Sequence, residues 1–120
     1  MNNLNSVLVE GTLVQKPDFR FTAKGFSVCN FTIASNRFYH NGEDLEKEVN
    51  FLDVETWGKL AEPCRIKEKG QGVRVVGRLK QDRWLGQDGK NHSKISIVAE
   101  HVEFKPIFKK AEQEEELLAE

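Results

Sequence analysis

Val49-Asn50-Phe51-Leu52-Asp53-Val54-Glu55-Thr56-Trp57 alternates with a period of two. In an extended chain Leu52, Val54 and Thr56 fall on one face, and Phe51, Asp53, Glu55 and Trp57 on the other. The first set suits a core. The second places two large aromatics beside carboxylates, so that face is read as solvated. Directly after this strand the period changes. Lys59-Leu60-Ala61-Glu62-Pro63-Cys64-Arg65-Ile66-Lys67-Glu68 has apolar residues at 60, 61 and 64. That spacing predicts a short helix, with Pro63 tolerated near its first turn. Gly70-Gln71-Gly72 ends it.

Working outward, strand signals lie on both sides. Upstream, Ser6 to Val14 is β-branched and apolar and is closed by Pro17. Phe19-Arg20-Phe21-Thr22 is a short alternating piece closed by Lys24-Gly25, and Phe26 to Ala34 is a second long strand. Asn41-Gly42 punctuates a stretch read as a polar loop running to about Glu48. Glu43, Asp44, Glu46 and Glu48 around Lys47 read as its flexible tip. Downstream, Val73 to Lys80 is a fourth strand reaching Trp84, Asp88-Gly89 is a hairpin signal, and Lys94 to Phe104 is the fifth strand. Three strands, one short helix and two strands give an all-β layout. It is that of the OB-fold, a five-stranded Greek-key barrel with its helix between strands three and four.

Size and charge fit one such domain. The chain has 120 residues, 38% hydrophobic and 31% charged, which is one core of ordinary size. No run approaches the ~18 apolar residues of a membrane span. The first residues, Met1-Asn2-Asn3-Leu4-Asn5, lack the basic and apolar regions of a secretory or transit leader. Cys29 and Cys64 form no C-x-x-C and read as packing in a reduced cytoplasm. Net charge is −1, but Ala111 to Glu120 holds Glu112, Glu114, Glu115, Glu116 and Glu120 and no base. Residues 1–110 then carry 18 bases against 14 acids, a net of +4. The division is a mildly basic domain over 1–106 and an acidic C-terminal tail over 107–120.

The fourth strand repeats the pattern of the third. Val73, Val75, Gly77 and Leu79 read as core, while Arg74, Val76, Arg78, Lys80, Asp82 and Trp84 take the other face. Tyr39 follows Arg37 and adds another aromatic beside a base. Phe19, Phe21, Phe26, Phe31 and Phe104 read as core or hairpin packing. Aromatics interleaved with bases on a solvated barrel face suit single-stranded nucleic acid. Each base offers a π-face, and stacking contributes roughly 1–3 kcal/mol per base without reading sequence. Lysine and arginine meet phosphates and make affinity fall with salt. A duplex hides the base faces. The bland alternative is that such aromatics pack under loops or against a partner subunit.

No catalytic or metal site assembles. His40, His92 and His101 are scattered, and no Walker A, G-x-S-x-G or G-x-G-x-x-G motif is present. The expectation is a binding protein, not an enzyme, with no cofactor and no metal.

Over about Asn5 to Phe104 the sequence resembles the bacterial single-stranded DNA-binding protein family, OB-folds that assemble as homotetramers. Asn5-Ser6-Val7-Leu8-Val9-Glu10-Gly11-Thr12-Leu13 with Pro17, Arg20 and Phe21 looks like its opening, and Asn30-Phe31-Thr32-Ile33-Ala34 like its second strand. Trp57-Gly58-Lys59-Leu60-Ala61-Glu62 is similar to its aromatic-Gly-Lys-Leu-Ala-Glu signature. Lys69-Gly70, Val75, Gly77, Leu79 and Trp84 also fall into place. The resemblance implies long β-hairpin extensions from the barrel. It implies single-stranded DNA as ligand, with roles in replication, recombination and repair, in a cytoplasmic, nucleoid-associated protein. It implies that Tyr39, Phe51, Trp57 and Trp84 stack on bases and that Lys59, Lys80 and Arg83 face DNA; Arg74 and Arg78 join the phosphate contacts on strand parity alone. Asp53, Glu68, Asp82 and His92 depart from the family, standing where well-known members have a base. The sequence resembles a short form, without the long Gly/Pro/Gln-rich linker and the acidic Asp-Ile-Pro-Phe-like tip through which many members recruit replication and repair proteins. The acidic tail with Leu117-Leu118 is the candidate for a reduced version of that role. The competing expectation is a primosome-like OB adaptor that mainly binds proteins.

Overall fold

A computed structural model describes residues 1–106. Six strands follow one another along the chain: β1 (Val7–Leu13), β2 (Asp18–Phe21), β3 (Ser27–Asn41), β4 (Asp44–Trp57), β5 (Gly72–Leu85) and β6 (Asn91–Phe104). A 3-10 turn (Gly58–Leu60) and a one-turn helix α1 (Ala61–Cys64) lie between β4 and β5. The sheet runs β1-β5-β6-β4-β3-β2, and β1 also pairs with β3 at Thr12–Ala34 and Leu13–Ile33. That second pairing closes β1, β5, β6, β4 and β3 into a five-stranded barrel, leaving β2 as a short flap on β3. All pairings are antiparallel except β4 with β6, which are parallel at Val54–Ile97 and Glu55–Val98. This is the OB-fold expected from the order of elements.

The alternation read in the sequence sets the core. Cys29, Phe31 and Ile33 of β3, Val54 of β4, Val73 and Val75 of β5, and Ile97 and Ala99 of β6 meet inside, with Ala61 and Cys64 of α1 as the plug. Each fully buried valine, leucine or isoleucine adds about 1.5–3 kcal/mol relative to exposure. Thr56, also buried, donates its hydroxyl to the Cys29 carbonyl at 2.7 Å, so its burial leaves no hydroxyl unsatisfied. Burial pushes the Cys29 thiol up to about 12 and raises the Cys64 thiol as well. Gly11 has a packing reason: a Cβ there would sit 2.6 Å from the Ala34 carbonyl oxygen, where β1 crosses β3.

Three expectations change. The stretch after Asn41 is not a loop: β3 runs to Asn41, the chain turns through Gly42 (φ +69°), and β4 starts at Asp44. Fourteen cross-strand pairs from Val28–Trp57 to Asn41–Asp44 join the two strands, so the acidic tip is one end of a long hairpin. The helical pattern from Lys59 to Glu68 collapses to a 3-10 turn and one α-turn, since Pro63 removes a backbone donor and the chain must re-enter β5 at Gly72. Leu79 is not core but 48% exposed. The cover from β1 ends where Val7 pairs with Gly77, so everything beyond on β5 projects from the barrel. Asn5 bridges the first step of that projection. Its side-chain amide donates to the Leu79 carbonyl at 2.8 Å and accepts from the Leu79 N–H at 2.9 Å.

Two arms therefore leave the barrel: the β3–β4 hairpin beyond Phe51 and the β5–β6 hairpin beyond Leu79. The register slips between Val76 and Gly77, which pair with His101 and Ala99, so Glu100 is a bulge residue at the root of the second arm.

Candidate nucleic-acid interface

The outer face of β4 keeps the parity read from sequence. Phe51 is 68% exposed and Trp57 40% exposed, while Val54 and Thr56 between them point inward. Gly58 (φ +59°) then turns the chain sharply, which leaves Trp57 at the rim and starts the turn carrying the exposed Lys59.

The same face continues onto β6 and β5. Lys94 on β6 meets Asp53 at 3.1 Å, and Lys80 on β5 meets Glu55 at 3.6 Å. Pairing of Lys80 with Ser96, Asp82 with Lys94 and Trp84 with His92 carries the face outward to Trp84, which is half exposed. Phe51, Trp57, Lys80 and Trp84 are thus brought onto one continuous surface, with the exposed Arg78 on the same side of β5. Thr32 donates to Asp53 at 2.6 Å, and that bond, with the Lys94 ammonium, holds the Asp53 carboxyl below its usual range. Asp18, Asp53, Glu55, Asp82 and Lys94 line a shallow groove of about 270 Å³ on this surface. Among the described residues no group of three or more histidines, cysteines or carboxylates is arranged to hold a metal ion.

Other expected site residues lie elsewhere. Tyr39 shares its face of the arm with Arg37, Glu46 and Glu48, the face that continues inward to Ile33. Its hydroxyl donates to Glu46 at 3.3 Å, the Arg37 guanidinium sits 5.0 Å from its ring centre, and Arg37 pairs with Glu48 at 3.4 Å. By register the outer side of that arm carries Phe38 and Lys47 instead, with the ammonium 5.9 Å from the Phe38 ring. Phe38 is 62% exposed, and strand parity counted back from Phe51 across the turn would have shown it. Arg74 stands on the β1–β5–β6 wall between Glu10 (3.3 Å) and Glu103 (3.9 Å), and Lys105 also meets Glu10 at 2.8 Å. Those cations, with Lys105 foremost, lower the Glu10 carboxyl, and His101 chiefly lowers Glu103. Arg83 takes the side of β5 opposite Trp84 and bonds Gln81 at 3.0 Å, at the edge of a cleft of about 570 Å³ around the arm.

Lys94 and His92 were missed as candidates. The signal for Lys94 was available, since the Asp88-Gly89 turn fixes the register that sets it opposite Asp82. The groove at the barrel mouth, lined by Val7, Val9, Phe51, Leu79 and Ile95, needed the fold itself. Phe21 and Phe26 are exposed on the β2–β3 flap, whereas Phe31 is core and Phe104 packs against it. Phe108 and the acidic tail lie outside the described residues.

A closed OB barrel with a solvated face of aromatics and cations defines a class: oligonucleotide-binding β-barrel proteins. Comparison with known proteins narrows it. The model of the single-strand binding protein family matches residues 4–105. The single-stranded DNA-binding protein of Aquifex aeolicus is 38% identical over 120 residues, covering 95% of this chain and 81% of that one. That of Treponema pallidum is 36% identical over 104 residues, but the match spans only 58% of its length. Among solved structures, a Plasmodium falciparum SSB complex with ssDNA superposes with a TM-score of 0.80 over 88% of this chain at 18% identity. A deletion mutant of the single-stranded DNA binding protein from Thermus aquaticus gives 0.75 over 86% of this chain and 51% of that one, at 28% identity. The chain belongs to the single-strand binding protein family.

Proposed function

We propose that this chain binds single-stranded DNA with little sequence preference, and protects it during replication, recombination and repair. The observation that carries this reading is the continuous outer face on which Phe51, Trp57 and Trp84 stand exposed with Lys80 and Lys94 between them. Bases stack on those rings, and phosphates exchange with Glu55 and Asp53 for the two ammonium groups. Lys59, Arg78 and Arg83 supply further phosphate contacts from the rim. Tyr39 and Arg74 are secondary members, because they stand off that face, Tyr39 on the other side of the β3–β4 arm and Arg74 on the β1–β5–β6 wall. The family is a binding family, so the action is occupancy rather than turnover.

The assembly proposed is a homotetramer, and the exposed Leu8 beside Val76 on the β1–β5 wall supports burial against another copy. A cytoplasmic, nucleoid-associated location follows from the ligand. No helix among the described residues is long and apolar enough to cross a membrane. Recruitment of replication and repair proteins falls to the acidic segment from 107 to 120.

Titration of tryptophan fluorescence with oligo(dT), repeated with a duplex and at two salt concentrations, tests the reading. Quenching by oligo(dT) alone, weakened by salt, is expected. A folded protein quenched by no strand would turn the aromatic face over to protein partners, as in a primosome-like adaptor.

A further inference from the structure

The tip of the β5–β6 arm is built around one ring stack. The imidazole of His92 lies against the Trp84 indole with centroids 5.8 Å apart and planes 21° from parallel. His92 Nε2 is 3.0 and 3.2 Å from the two carboxylate oxygens of Asp88. Asp88 is itself fixed, because its Oδ1 accepts the Lys90 N–H at 3.0 Å. The turn closes through Gly86 N–H to the Lys90 carbonyl at 2.8 Å and Gly89 N–H to the Gly86 carbonyl at 3.0 Å. Gly86 makes room for the pair: a Cβ there would fall 2.5 Å from His92 Nε2 and 2.7 Å from Asp88 Oδ1. A backbone anchor, a carboxylate, an imidazole and an indole thus stand in series, in contact with the cleft that Trp84, Asn91 and Arg83 also line.

We propose that this series is a proton-sensitive stacking clamp, in which Asp88 holds His92 on one face of Trp84 and protonation of His92 tightens the grip on single-stranded DNA. The inference rests on the reading of Trp84 as a base-stacking residue. Asp88 accepts from Nε2–H, which leaves Nδ1 to take up the second proton. Its carboxyl is held low by the Lys90 N–H first and His92 second, which keeps it the ionised acceptor of the pair. His92 covers one face of the indole, so one base stacks on the other. An imidazolium there adds a cation one ring away from that base, within screening distance of its phosphate, and it sharpens the cation–π contact with the indole. The charged groups around the ring are Asp88 and Lys90 of the turn, Asp82 and Lys94 one pair further along the same face, and Arg83 across the cleft. His92 acts on DNA through Trp84 and is a positioning residue.

The test compares the wild type with His92→Phe, which keeps a ring on Trp84 but carries no proton, and with Asp88→Asn. Oligo(dT) affinity is measured from pH 8 to 5.5 at fixed ionic strength, together with tryptophan emission of the DNA-free proteins. The wild type should gain about three- to fivefold in affinity on acidification, the scale of one added phosphate contact. His92→Phe, whose ring cannot bond Asp88, should bind somewhat more weakly than the wild type at pH 8 and show a flat profile; Asp88→Asn should also weaken binding at pH 8, by loosening the ring on the indole. Free wild-type emission should fall on acidification, since an imidazolium stacked on an indole quenches it, and this fall should vanish in His92→Phe. Matching pH profiles for wild type and His92→Phe, whether both flat or both rising through His40 or His101, overturn the clamp. Absence of oligo(dT) binding by wild type at every pH is a different failure, that of the DNA-binding reading.

Discussion

The two arms have the same architecture and opposite electrostatics. From Asn36 to Val49 the β3–β4 arm carries Arg37 and Lys47 against Glu43, Asp44, Glu46 and Glu48. From Lys80 to Ser96 the β5–β6 arm carries Lys80, Arg83, Lys90 and Lys94 against Asp82 and Asp88. Each arm also presents an aromatic with a partner, but the partners differ. Tyr39 spends its hydroxyl on Glu46 and shares its ring with Arg37, whereas Trp84 is stacked on His92 and remains half exposed. An extended hairpin is therefore not by itself a DNA-binding device. On the proposed reading, phosphates approach the arm with excess cations, and the β3–β4 arm repels them except beside Lys47.

The largest break should come from the aromatics. Trp84→Ala should cost about 1–3 kcal/mol in oligo(dT) binding, while Tyr39→Ala should cost less than about 1 kcal/mol, because that ring stands on the side of its arm away from Phe51. Equal losses, measured by isothermal calorimetry, would erase the contrast. Next come the lysines. Replacing Lys80 and Lys94 by Gln should flatten the dependence of log affinity on log salt by about 0.7 per lysine; the same change at Arg37 and Lys47 should leave the slope nearly unmoved. A smaller effect of opposite sign is expected from Glu46→Gln with Glu48→Gln. Removing two like charges from the acidic arm should raise affinity about twofold at low salt and not at all at high salt. Last is stability. The Asp53, Asp88, Glu10 and Glu103 carboxyls all sit below their ordinary values in the fold. Groups lowered in this way favour the native state above the unfolded-state values and lose that contribution as pH falls through the folded ones. The melting temperature should hold from pH 7 to about 5 and decline below about 4. Asp53→Asn should shave part of that decline, and an unchanged acid profile would mean that its bonds to Thr32 and Lys94 do not persist in solution.

Much of the barrel was legible because it obeys one rule. Period-two alternation placed Val54, Thr56, Val73 and Val75 inside and Phe51 and Trp57 outside, and each is found there. The change of period at Lys59 located the short helix, though the pattern ran on to Glu68 where the helix itself ends at Cys64. The rule failed where a strand outlives its neighbour. Leu79 has the parity of a core residue, but parity says which side a residue faces and nothing about whether another strand covers that side. The acidic β3–β4 tip was misread for a related reason, since charge composition resembles that of a loop when both faces of a hairpin are wet. Arg74, Lys80 and Lys94 looked like free cations in one dimension. Partners from other strands reach each of them: Glu10 lies 64 positions from Arg74, and only register brings the two together.

The Asn5 amide at Leu79 bears on how the molecule avoids its own kind. Where β1 stops, β5 offers a row of unpaired N–H and C=O groups, the usual template for edge-to-edge aggregation. Asn5 imitates one more strand residue and occupies the first donor and acceptor of that row. A side chain thereby does the work of a backbone at the seam between wall and arm. The barrel can end there cleanly, and the arm begins with its hydrogen-bond ledger closed at the point where a stray strand would otherwise take hold.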